Sequence, residues 1–100
     1  LVGRDAVRGL IDALAARDVP RLLALAAELA ERSADFEDVL GELIATLHRM
    51  AVDQALGAGD ATPGPLGPEL VQLYYQIALL GLRDLPIAPD PRLGFEMTLL

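Results

Sequence analysis

The sequence has 100 residues, 15 of them acidic and 8 basic, with no cysteine and a formal net charge of -7. A chain of this length makes one folding unit and buries roughly 60 to 65% of its extended surface, a thin margin for a monomer, so oligomerisation is open from the start. All eight bases are Arg, which excludes P-loop lysine and Schiff-base chemistry, and arginines scattered along an acidic chain give no track for a phosphate backbone.

Helical periodicity runs through the chain. Val7, Leu10, Ile11 and Leu14 recur at i, i+3, i+4 and i+7, with Asp5, Arg8 and Asp12 turned elsewhere. Asp18 caps a second helix with Pro20 in its first turn; Leu22, Leu25, Ala26 and Leu29 form its stripe until Ser33 and Asp35 interrupt. These two helices predict a hairpin. A longer third helix keeps Phe36, Leu40, Leu43, Ile44, Leu47, Met50 and Ala51 on one half of the wheel and ends near Gly57. Residues 57–68 contain four Gly and three Pro, which cannot sustain helix and read as a surface loop, a hinge or a variable insertion. Pro68 opens a fourth helix that runs to about Asp84. Pro86, Pro89 and Pro91 then make Leu85 to Pro91 a rigid extended link. Asp90 and Pro91 fit the N-cap and first position of a fifth helix, with Leu93, Met97 and Leu100 as its apolar line. The chain is therefore expected to be all-α: a single bundle of about five helices over residues 1–100, the last one truncated. It begins at Leu1 without Met and stops in mid-pattern, as expected of a segment cut from something longer.

Candidates for chemistry are few. His48 is the single histidine, and Glu42 and Asp53 lie six and five residues away, whereas helical ligand pairs need a spacing of three or four. A histidine at the edge of the apolar stripe is the expected reading, with no metal site. Ser33, the single serine, sits at a helix end without a glycine elbow and reads as helix punctuation. The pairs Glu37 with Asp38 and Glu28 with Glu31 are read as solvated charge. Gly57-Ala58-Gly59 has no buried strand before it and no lysine after it, so it is loop, not a phosphate cradle. No cofactor site and no catalytic group is expected in this segment. No uncharged stretch is long enough to span a bilayer. With no cysteine framework to suggest an oxidising compartment, the expected location is cytoplasmic.

The fourth helix is the informative one. Leu70, Val71, Tyr74, Ile77, Ala78 and Gly81 collect on one face, while Tyr75, Leu79 and Leu82 form a second line at i, i+4 and i+7. A helix apolar nearly all round is buried on most sides. If the first line fills the domain's own core, Tyr75, Leu79 and Leu82 are the candidate subunit interface. If the helix runs through the middle of a bundle, both lines are core. Gly81 favours a close helix approach in either arrangement, or marks the helix end.

From Gln72 the residues run Gln-Leu-Tyr-Tyr-Gln-Ile-Ala-Leu-Leu-Gly, then Arg83-Asp84-Leu85-Pro86, Ala88-Pro89-Asp90, Arg92 and Gly94-Phe95-Glu96-Met97-Thr98-Leu99-Leu100. This run closely resembles the third domain of the gamma/tau subunit of bacterial DNA polymerase III, the subunit that drives the sliding-clamp loader. Leu47-His48-Arg49-Met50-Ala51 is similar to the family's Leu-His-Arg segment. The last 29 residues carry the specific match, and the first 56 alone are generic helix. Leu82 departs from the family, which commonly has a basic residue there.

The resemblance implies a collar: an oligomerisation domain where copies of gamma/tau meet one another and the delta and delta-prime subunits, holding ATPase modules together for loading of the clamp in DNA replication. It implies no enzyme activity for this segment. The parent is an ATP-dependent subunit, and the resemblance implies ATP and magnesium for N-terminal domains outside this chain. No direct nucleic-acid contact and no membrane contact are expected. A different class of function, a free-standing helical adaptor that binds an amphipathic partner helix, is the alternative.

Overall fold

The computed structural model describes residues 3–57, 66–87 and 90–100, and among them the chain forms α1 (Gly3–Ala16), α2 (Val19–Glu31), α3 (Phe36–Leu56), α4 (Pro68–Asp84), a 3-10 turn (Leu85–Ile87) and α5 (Pro91–Leu99). The all-α expectation holds for these residues. Capping chemistry explains where the helices begin. Asp18 accepts a hydrogen bond from the Arg21 N–H at 3.1 Å, Asp35 from Glu37 at 2.9 Å, and Asp90 from Arg92 at 2.8 Å, each satisfying an N–H of the first turn that has no helical partner. Pro20, Pro68 and Pro91 stand in the first turns of α2, α4 and α5, where a missing N–H costs nothing.

The ends are equally local. The Asp18 N–H donates to Ala13 O at 2.9 Å and the Arg17 N–H to Leu14 O at 3.1 Å, with Arg17 left-handed at φ 54. This paired closure is a Schellman motif, and it turns α1 directly into the capped start of α2. The same closure ends α2: the Ala34 N–H reaches Leu29 O at 3.0 Å and the Ser33 N–H reaches Ala30 O at 3.1 Å, with Ser33 at φ 55. Gly57, at φ 58, closes α3. Two of these three left-handed positions lack the glycine that avoids the Cβ clash there.

One core unites the elements. It takes Val7, Leu10, Ile11 and Ala13 from α1, the whole expected stripe of α2, and Phe36, Val39, Leu40, Leu43 and Leu47 from α3. Helix α4 supplies Val71 and Ala78, continued by Leu85 of the turn, and α5 supplies Phe95 and Leu99. The Phe36 and Phe95 rings stack tilted with centroids 4.9 Å apart, fastening the start of α3 to α5. Helix α5 also packs against α2 and α4, so the last element closes the bundle.

Four expectations need correction. Leu85 to Ile87 is not extended: Leu85 keeps helical dihedrals (φ -55, ψ -42) and is buried. A residue before proline normally avoids this region, and burial of the Leu85 side chain outweighs that preference. In α5, Leu93, Met97 and Leu100 are 53%, 73% and 63% exposed, whereas Phe95 is fully buried and Leu99 nearly so. Nine residues accommodate either line, and the larger aromatic surface takes the core. Leu66, within the Gly/Pro-rich segment, is 2% exposed, and its carbonyl accepts from Gln54 Nε2 at 2.9 Å. That segment therefore ends in an anchor; its residues 58–65 lie outside the described residues. Ile77, assigned to the core line of α4, is 40% exposed.

Candidate subunit interface

Twelve large apolar side chains are exposed among the described residues; seven of them lie in α4, the 3-10 turn and α5, and an eighth, Leu100, follows α5 directly. The surface-active part of the molecule is thus its second half. On α4, with about 100° between successive residues, the buried line of Val71 and Ala78 has a flank on either side. Tyr75 and Leu82 occupy one flank, half-buried against the core, and Leu79 stands beyond them at 47% exposure. The expected interface line is therefore split. Two of its members contribute to the fold, and one faces solvent.

On the other flank, Leu73, Ile77 and Leu80 recur at i, i+4 and i+7 with exposures of 49%, 40% and 50%. Glu69, Gln72, Gln76 and Arg83, all exposed, form a polar strip that separates this line from Leu79. Sequence periodicity shows the line, yet in a helix apolar nearly all round it does not show which line turns inward.

Helix α5 lies beside this second line because Gly81 permits it. A Cβ built at Gly81 would overlap the side chain of Thr98, falling 2.9 Å from its Cβ. The Thr98 hydroxyl is satisfied within α5, donating to Gly94 O at 2.9 Å. The close approach leaves two clefts between the helices. One, of ≈ 490 Å³, is lined in part by Ile77, Ile87, Met97 and Asp84. The other, of ≈ 220 Å³, lies among Leu14, Tyr74, Ile77, Met97 and Leu100, with further apolar neighbours. Asp84 is the single residue with a charged side chain lining either cleft, and Arg83 pairs with it at 3.1 Å. Ile77 of α4 thus meets Met97 and Leu100 at the end of the chain on one mainly apolar surface.

The other residues singled out from sequence stay apart from this surface. His48 is exposed on α3, farther from the core than the stripe edge expected for it. Glu42 faces Arg49 at 3.6 Å, and Arg49 also donates to Thr46 Oγ1 at 3.0 Å. Ser33 serves backbone geometry, as its position at a helix end suggests. Glu28, Glu31, Glu37 and Asp38 are exposed, the last two in the first turn of α3, where negative charge favours the helix dipole. Gly57 is a helix C-cap, while Ala58 and Gly59 lie outside the described residues. No helix among the described residues is long and apolar enough to cross a membrane.

The half of the chain that bears most of this apolar surface is also the half with a family signature. Residues 57–100 match the family described as DNA polymerase III subunits gamma and tau domain III. Across nearly the whole chain, the tau subunit of DNA polymerase III from Escherichia coli (strain K12) is 38% identical over 108 aligned residues, covering 96% of this chain and 17% of that protein. The chain belongs to the gamma/tau domain III family. A tau/gamma subunit from Haemophilus influenzae is 35% identical over 72% of the chain and 12% of its own length. A gamma subunit from Buchnera aphidicola is 25% identical over 96% of the chain and 30% of its length. This gamma/tau domain III therefore spans less than a third of each of these relatives, and the matched family segment holds α4, the 3-10 turn and α5.

Proposed function

We propose that this chain is the oligomerisation domain, or collar, of a gamma/tau subunit of the DNA polymerase III clamp loader. Its partners are other gamma/tau copies and the delta and delta-prime subunits. The observation that carries the reading is the mainly apolar surface where Ile77 meets Met97, extended along α4 by the exposed Leu73 and Leu80, on a chain of net charge -7. A contiguous apolar patch on a small domain marks a partner surface. Tyr75, Leu79 and Leu82 belong to the same proposal as a second contact on the opposite flank of α4, with Leu79 as its solvent-facing member.

In this reading the domain contributes assembly and no chemistry. ATP and magnesium belong to N-terminal domains of the parent subunit, outside this chain, and the collar keeps those modules at high local concentration in the cytoplasm. The test is sedimentation of the chain over a range of concentrations, alone and with delta and delta-prime, for Ile77→Glu and Leu79→Glu. Circular dichroism controls for the fold. Loss of assembly in a folded Ile77→Glu variant places contact on the α4/α5 surface, and loss in folded Leu79→Glu places it on the opposite flank. Normal assembly of both folded variants overturns the reading.

A further inference from the structure

We draw no further inference here: the strongest candidate, the open groove between α1 and α3 walled by Arg8, Asp12, Glu42 and Arg49 over Val7, Ile11 and Met50, carries charges of both signs, and nothing in the structure shows what covers it.

Discussion

Arg17 and Ser33 hold left-handed backbone at φ 54 and 55 although neither is glycine. A Cβ in that conformation costs about 1 to 2 kcal/mol, and the hydrogen-bonded closures of α1 and α2 hold it in place. Ser33→Gly is accordingly expected to stabilise the domain by up to about 1 kcal/mol, with the entropy of a glycine in the unfolded chain offsetting part of the relief. Urea unfolding measures it; a destabilised variant would mean that the Ser33 side chain matters beyond its backbone. Gly81 presents the opposite case. Its hydrogen is all that fits against Thr98, so Gly81→Ala forces α4 and α5 apart and is expected to lose about 1 to 3 kcal/mol. Thr98→Ala in the same chain removes two of the three overlapping atoms and recovers part of that loss. Equal losses with and without Thr98→Ala would disprove the contact as the cause.

At the level of elements, the helix starts and the α2 stripe were legible because capping and periodicity are local. Asp18 and Asp90 cap the helices expected of them, and Asp35, read from sequence only as a break after the second helix, caps α3. The third and fourth helices also end where Gly57 and Asp84 suggest. What sequence could not decide was orientation, where one helix offers two apolar lines. In α5 the line Leu93, Met97 and Leu100 and the pair Phe95 and Leu99 have equally good helical spacing. Contact with Phe36, 59 positions earlier in the chain, selects the latter. In α4 the same ambiguity hid the solvent-facing line of Leu73, Ile77 and Leu80, and the interface candidates Tyr75 and Leu82 proved half-buried. Leu66 escaped notice because composition alone reads a Gly/Pro-rich stretch as surface. Substitution in α5 checks the observed orientation: Phe95→Ala is expected to lose about 3 to 5 kcal/mol by opening a cavity. Met97→Ala should stay within about 0.5 kcal/mol in the monomer. Denaturant titration of both variants distinguishes the faces, and the reverse order would mean that α5 is turned by half a revolution.

For the whole molecule, charge is unevenly spread: the groove between α1 and α3 is walled by charges of both signs, and the α4/α5 clefts are not. The clefts beside α4 and α5 carry one carboxylate, paired with Arg83, while the chain as a whole has a net charge of -7. That net charge predicts repulsion from a phosphate backbone. In fluorescence anisotropy the chain should leave labelled duplex DNA unbound at physiological salt, and micromolar retention would contradict this. Ion pairs contribute little to holding the fold: the three among the described residues join partly exposed side chains and are worth about 0 to 1 kcal/mol each. Folding stability therefore rests on the apolar core.

The Gln54 clamp on the Leu66 carbonyl has a practical consequence for spacing. With Gly57 capping α3 on one side and Leu66 buried on the other, both ends of the intervening segment are fixed by contacts outside it. The entropy of closing a chain segment between two anchored ends grows only logarithmically, about 0.6 kcal/mol for each doubling of its length. A graft of ten Gly/Ser residues after Ala61 should then lower stability by roughly that amount and leave helix content by circular dichroism unchanged. Lengthening the chain between Gly57 and Leu66, by an affinity tag or a whole inserted module, is therefore expected to cost the fold little.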